Sequence, residues 1–333
     1  FASLDAMVSV DIYLNETTRH ADVILPPPSS LEKSHYDINF YGLSIRNIAN
    51  FSAAVFDSEA MTEEDIYAKL TLIALSRGVD ANPEIVHEQM ARELLAAETE
   101  VDGSPLAARN VDELLDQLAD GSGSVRIVDA MLRTGPYGDQ FGANANGLSV
   151  SKLRENPHGI DLGALEPRIP DLLNTIDDRI GLFAGPFLEE LARLEARSTE
   201  WAMDGRLRLV GRRHLRSNNS WMHNLEVLVR GRARCTLQIN PADAAELGIA
   251  DGIDAVVRSR VGQVVAAVEV TESVMPGVVS LPHGWGHDMV GAKMDVARRY
   301  AGVNSNVLTD PAAVDPLSGT AVLNAIPVEV VPA

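Results

Sequence analysis

From Leu207 onward the chain alternates short apolar runs with turn residues, and no other feature of the sequence constrains the fold as tightly. In R-L-R-L-V-G, Leu207 and Leu209 point to one side and Arg206 and Arg208 to the other, the period of a half-buried strand, and Gly211 ends it. Residues 235–239, 253–258, 263–271, 278–281 and 326–331 read as further strands, two of them joined as a hairpin about Gly262. Pro327 puts the last strand at a sheet edge. Between them Asn240-Pro241 opens a single short helix that Gly248 closes. Many short strands around one small helix predict a closed barrel.

The first half follows other rules. Residues 7–13 and 21–25 are two short apolar runs on either side of the turn formers Asn15-Glu16-Thr17-Thr18, and three prolines follow. Strand, short helix, strand at that spacing predicts the edge of a parallel sheet. Residues 29–57 are irregular and polar-aromatic, with Glu32, His35, Tyr36, Asp37, Asn39, Tyr41 and Arg46 available to line a site. Glu32 and His35 are spaced for a metal on a helix, but two ligands without a third do not make a metal site. Thr62 caps an amphipathic helix with Asp65 at the capping-box position and Ile66, Leu70 and Ile73 on one face. Pro83 opens a second, with Ile85, Val86, Met90 and Leu94 at helical spacing. Residues 111–118, 125–132 and 182–194 predict three more. The glycine-rich segment 135–149 lacks the spacing of a phosphate-binding loop and reads as a long surface loop.

Between the two halves lies the densest polar stretch, residues 206–224, followed by Arg230, Arg232 and Arg234. Eight of the 28 basic residues fall within positions 206–234, in a chain whose net charge is −19. A guanidinium fork matches phosphate, and asparagine amides pair with heterocycle edges, so the stretch suits an anionic, heterocycle-bearing ligand. The alternative is a solvated strand-and-turn surface. The acidic balance argues against general nucleic-acid binding. A single cysteine, Cys235, rules out a disulfide framework or a cysteine-built metal cluster within this sequence, and a reducing, cytoplasmic setting is the default. No apolar run reaches the length of a membrane span. The sequence opens on Phe1 without a signal, as a piece of something longer would. In P-H-G-W-G-H-D, His283 and His287 stand four apart, but the flanking glycines argue against the helix that a two-histidine metal site needs.

Five segments in this order resemble the C-terminal half of molybdopterin oxidoreductases of the dimethyl-sulfoxide reductase class, which includes formate dehydrogenases and assimilatory nitrate reductases. They are N-E-T-T-R-H-A-D-V-I-L-P with Glu32 after it, G-R-R-H-L-R-S-N-N-S-W-M-H-N, N-P-A-D-A-A-E-L-G-I-A-D-G, V-T-E-S-V-M-P-G-V-V-S-L-P-H-G-W-G and N-S-N-V-L-T-D-P. The resemblance implies an α/β fold. Residues 1–200 would be the remnant of the large α/β domains, with a parallel sheet and helices. Residues 205–333 would be a molybdopterin-dinucleotide-binding domain, a six-stranded double-psi barrel related to that of aspartate decarboxylases. It also implies two molybdopterin guanine dinucleotides chelating molybdenum or tungsten, and a two-electron oxo or hydride transfer on a small molecule such as formate or nitrate.

By position, the cofactor-facing residues are Gly211, Arg212, Arg213, His214, Leu215, Arg216, Asn218, Trp221 and His223 in the first loop. His283, Gly284 and Trp285, Asn304 and Asn306, and Asn15 and Thr17 beside Glu16 complete the set. Arg212, Arg213 and Arg216 are expected to neutralise phosphate, Asn218, Asn304 and Asn306 to bind pterin or guanine edges, and Trp221 and Trp285 to pack. His214, His223 and His283 are expected as structural or cofactor hydrogen-bond partners rather than proton relays. No catalytic residue and no metal ligand is assigned. The family's iron–sulfur cysteines and metal-ligating residue would lie in an N-terminal region outside this sequence, so the chain alone should be inactive. The aromatic D-I-N-F-Y-G-L-S-I-R-N stretch replaces the family's usual glycine-and-arginine pattern. Expected partners are the remaining domains of the same protein and an electron-transfer subunit, with no nucleic acid. Two alternatives stand beside this: a non-catalytic subunit that covers a cofactor held elsewhere, and a self-cleaving barrel decarboxylase, whose Gly-Ser pairs here (Gly103-Ser104, Gly121-Ser122) lie outside the barrel half.

Overall fold

A computed structural model describes residues 1–182 and 185–333. The chain forms two compact units: residues 8–12 with 22–172, and residues 1–7 and 13–21 with 173–333. The boundary expected near residues 200–205 therefore falls earlier, and residues 13–21 join the second unit. Long-range bonds within that unit account for this: Lys293 N–H donates to the Leu14 carbonyl at 2.7 Å and Arg19 Nη1 to the Val290 carbonyl at 2.9 Å.

In the first unit, β1 (Val8–Val10) and β2 (Val23–Leu25) pair in parallel, as the strand–turn–strand spacing predicts. Val8 and Val23 are half exposed, although parallel sheets normally bury both faces. The polar-aromatic stretch folds into two small antiparallel pairs. β3 (His35–Tyr36) pairs with β5 (Phe51–Ser52), and β4 (Arg46–Ala49) pairs with β6 (Ile160–Ala164). Glu32 accepts from Ser29 N–H in its own turn, and His35 lies on a strand, so the helical metal spacing never forms.

Helix α1 (Glu63–Ala74) starts where its capping box predicts, Thr62 Oγ1 accepting from Asp65 N–H, and buries Ile66 and Leu72 while Ile73 is exposed. Helix α2 (Glu84–Thr99) turns a different face inward than its large apolar residues suggest. His87, Ala91 and Leu95 are buried, whereas Ile85 and Met90 are more than half exposed. Close packing decides this: a Cβ on Gly123 of α4 (Gly123–Thr134) would lie 2.3 Å from the His87 Cβ, so α2 seats its histidine against glycine and bonds it to Asp65 at 2.9 Å. α3 (Val111–Leu115) and α5 (Val150–Arg154) complete this unit. The glycine-rich loop 135–149 is an internal staple. Gly138 and Gly147 touch backbone to backbone, and the buried Asp129 carboxylate accepts from Val150 and Ala119 N–H.

The second unit carries α6 (Gly185–Met203); its predicted beginning at residues 182–184 runs into 183–184, outside the described residues. Then come β7 (Leu207–Arg212), α7 (Glu226–Val229), β8 (Leu237–Ile239), α8 (Pro241–Glu246), β9 (Asp254–Arg258), β10 (Gln263–Val270), β11 (Val278–Pro282), α9 (Asp295–Arg299) and β12 (Ile326–Pro332). The six strands close into a mixed barrel in the order β10-β8-β11-β7-β12-β9, with β10–β8 and β11–β7 parallel. Its interior is aliphatic: Leu237, Ile239, Val257, Val279, Leu281, Leu308 and Val328 are fully buried.

Pro327 is not at an edge. β12 pairs with β7 through residues 326–328 and with β9 through residues 329–332. Arg208, opposite Pro327, donates its N–H to Gly277 on its other side. This makes 208–327 a non-hydrogen-bonded pair, and the proline nitrogen faces away from β7 before the pairing with β9 begins.

Candidate cofactor site

The strand β7 delivers Gly211, Arg212 and Arg213 to a cleft of about 460 Å³ at one end of the barrel, where His283, Asn306 and Asn324 also converge. Among the described residues no aspartate or glutamate lines it, in a chain of net charge −19. Two neighbouring arginines there have opposite jobs. Arg212 is half buried, and its terminal nitrogens donate to the Ser280 carbonyl at 2.6 Å, the Thr236 carbonyl at 2.7 Å, Thr236 Oγ1 at 2.9 Å and the Arg234 carbonyl at 3.4 Å. It ties β7, β11 and the approach to β8 together, so its terminal nitrogens are committed to protein acceptors. Arg213 is exposed and donates to Asn219 Oδ1 at 3.3 Å, and Arg216 is exposed too.

The loop after β7 folds back through a left-handed pair, Asn218 (φ 41°) and Asn219 (φ 60°), a conformation asparagine tolerates better than most residues. Leu215 and Trp221 are exposed, at 98% and 70%. His214 Nδ1 accepts from Arg216 N–H, and burial, with Arg234, Arg216 and Arg212 adding to it, lowers the basicity of the ring. The loop is thus positive through its arginines alone. His223 is buried at 1% exposure, its ring 4.0 Å from that of Trp285.

The G-W-G segment threads between two backbones. A Cβ on Gly284 (φ +84°) would meet the Asn219 carbonyl at 2.4 Å, and one on Gly286 (φ +107°) would meet the Asn304 Cβ at 2.5 Å. Gly284→Ala is expected to cost about 2–4 kcal/mol from the positive φ and the backbone clash together, read as a lowered midpoint in thermal unfolding. Trp285 is buried, and its Nε1 has no hydrogen-bond partner. It faces not the main cleft but a second cavity of about 300 Å³ beside Cys235, Arg234 and Gly302. Burial pushes the Cys235 thiol up, and its sulfur accepts from Val303 N–H, so it serves as packing.

Asn304 and Asn306 lie at the start of a 3-10 turn rather than in an extended segment. Asn304 caps a 3-10 turn (Ser305–Leu308), its Oδ1 accepting from Asn306 N–H, and Asn306 alone of the pair lines the cleft. Asn15 likewise closes its own turn, accepting from Thr17 and Thr18 N–H, and Thr17 is exposed. Asn324 was not predicted: its Oδ1 accepts from Gly211 N–H at 2.9 Å and holds the loop root open. Nothing in N-A-I-P marks that role before the barrel closes.

Residues 207–327 match the family described as Molydopterin dinucleotide binding domain. The barrel is a molybdopterin dinucleotide-binding domain. The chain as a whole aligns with molybdopterin oxidoreductases as their C-terminal part. It is 26% identical to the dimethyl sulfoxide/trimethylamine N-oxide reductase of Cereibacter sphaeroides, over 90% of this chain and 35% of that one. It is 34% identical to the arsenate respiratory reductase molybdopterin-containing subunit ArrA of Chrysiogenes arsenatis, over 37% of this chain and 14% of that one. The acetylene hydratase of Pelobacter acetylenicus shares the fold at a TM-score of 0.60 and 16% identity, covering 99% of this chain and 40% of the other. The chain thus spans about a third of the length of the curated relatives it matches along most of its own length.

The molybdopterin dinucleotide-binding domain fits its ligand class on two counts: among the described residues no carboxylate lines its cleft, and the exposed Arg213 guanidinium borders it. Among the described residues no group of three or more metal-ligating side chains gathers, and no helix is long and apolar enough to cross a membrane.

Proposed function

We propose that the cleft holds the dinucleotide portion of a molybdopterin guanine dinucleotide, one of two carried by a molybdenum or tungsten oxidoreductase of which this chain is a part. The observation that carries this is that, among the described residues, no carboxylate lines the cleft that Arg212 and Arg213 border in an otherwise strongly acidic protein, since such a cleft favours phosphate over a cation. Arg213 and Arg216 neutralise phosphate. Asn306, Asn218 and the backbone near Gly211 offer donors and acceptors to a heterocycle edge. His283 borders the same cleft. When bound, the metal held by the pterin dithiolenes supplies two-electron oxo or hydride transfer on a small substrate, formate and nitrate being the leading classes. The chain's own part is to bind and orient. Any iron–sulfur cluster and the metal-ligating side chain belong to other regions of the protein, as does the contact with an electron-transfer subunit, and the cytoplasm is the proposed setting.

Metal analysis of the full-length gene product, with fluorescence of its oxidised, released pterin, tests this. About one molybdenum or tungsten and two pterins per chain are expected; neither, in a host that makes the cofactor, would overturn the proposal. A second expectation concerns one residue. Arg213→Ala should weaken binding of guanosine diphosphate by roughly tenfold and flatten its salt dependence, because one phosphate-facing charge is lost. Isothermal titration at two ionic strengths reads both.

A further inference from the structure

Four side chains that the dinucleotide reading does not use form one continuous chain, buried over three members and ending at the partly exposed Glu16. Ser217 Oγ lies 2.8 Å from His223 Nε2, His223 Nδ1 lies 2.8 Å from His287 Nε2, and His287 Nδ1 lies 3.1 Å from Glu16 Oε1. Ser217, His223 and His287 are all at least 95% buried. Each comes from a different place: Ser217 and His223 from the two ends of the left-handed asparagine turn, His287 from the segment after G-W-G, and Glu16 from the turn that Asn15 closes. These are the three segments that the sequence marks as cofactor-facing around the barrel.

We propose that this chain is a directional relay that positions the dinucleotide-binding loop, with Glu16 setting its direction. The order follows from donor and acceptor counts. A carboxylate can only accept, so His287 must carry its proton on Nδ1. With one proton on each ring, His287 Nε2 then accepts, His223 donates from Nδ1, and His223 Nε2 accepts from the Ser217 hydroxyl. Each group has one role left to it, so the hydroxyl of Ser217 is locked immediately before Asn218 and Asn219. The Trp285 ring, tilted against that of His223, and the close approach of Gly284 to the Asn219 backbone hold the same loop from its other side. Glu16 is a positioning residue, since it acts on the loop through two imidazoles and touches no ligand.

The inference rests on the dinucleotide reading for its purpose but not for its geometry, and the test separates the two. In the chain labelled with ¹⁵N-histidine, His223 and His287 should both show the Nδ1–H tautomer, the form less favoured by free imidazole. A proton on Nε2 of His223, or two protons on His287, overturns the relay. In Glu16→Gln the acceptor-only constraint is gone, because an amide can donate as well as accept. The tautomers should become mixed, and amide exchange at residues 217–224 should rise by roughly tenfold. Guanosine diphosphate should bind roughly tenfold more weakly. Ser217→Ala should weaken binding similarly while leaving both rings' tautomers unchanged, and it serves if Glu16→Gln does not fold. Unchanged nucleotide affinity in both variants overturns the positioning role. If the wild-type chain binds no guanosine diphosphate, the dinucleotide reading is what fails; the relay then stands or falls on the tautomers and the exchange rates.

Discussion

Arg212→Leu is expected to destabilise the barrel by about 3–5 kcal/mol, while Arg213→Ala one position later changes stability by less than about 0.5 kcal/mol. The two side chains leave the same strand end, but only Arg212 turns inward. Its guanidinium satisfies the carbonyls of Ser280, Thr236 and Arg234, and Ser280 and Thr236 are themselves buried. Leucine would keep some of the apolar stem and leave those acceptors bare, at about 1–3 kcal/mol for each buried one. Burial depresses the guanidinium's affinity for its proton, with Glu269 and Cys235 opposing, yet an arginine stays charged across the accessible pH range, so the effect should not depend on pH. Urea unfolding followed by tryptophan fluorescence, compared for the two variants, checks it. Equal losses in both would mean that Arg212 is as dispensable as its neighbour.

Acidification should weaken the same unit through His223. Burial, reinforced by the like charge that His287, His214 and His283 would present, pushes its pKa from 6.5 down to about 4, against a smaller opposing pull from the Gly284 backbone. Near pH 7 the ring is neutral in both the folded and the unfolded chain. As the pH falls below 6.5 the unfolded chain takes up the proton first, so stability is lost progressively and the loss is complete near pH 4. The cost across that window is about 3 kcal/mol. Carboxylates with depressed pKa values, Asp204 beside Arg208 and Asp310 beside Arg260 among them, add their own losses at lower pH. Unfolding free energies at pH 7, 5.5 and 4.5 should therefore fall steeply for the wild type. In His223→Gln, which can still donate and accept, the slope should be much flatter. The same slope in both would assign the acid sensitivity to another group.

Most of the secondary structure was legible because it rests on local rules. The capping box at Thr62, the hairpin about Gly262 and the alternation that starts at Leu207 each need only neighbouring residues to act, and each appears where those residues place it. Helix α2 shows where local rules end: its larger apolar residues point outward because Gly123 leaves room for His87 instead. Pro327 is the matching case in the barrel. Proline forbids one hydrogen bond, which sequence reasoning assigns to an edge, whereas closure hides the missing donor between two pairings on the same strand.

The site divides in the same way. Sequence alone determined that a barrel would form and that an arginine- and asparagine-rich loop would sit at its first strand, because strand period and local charge are properties of consecutive residues. It could not decide which arginine turns inward, since Arg212 and Arg213 are chemically identical and differ only in which one meets the carbonyls of Ser280 and Thr236 across the barrel. Nor could it find Asn324, which lies 113 positions from the Gly211 N–H it accepts from, or the bond from Glu16 to His287, which spans 271 positions. Barrel closure makes those contacts by bringing chain segments remote in sequence to one rim, and only the tertiary structure records which of their polar groups meet.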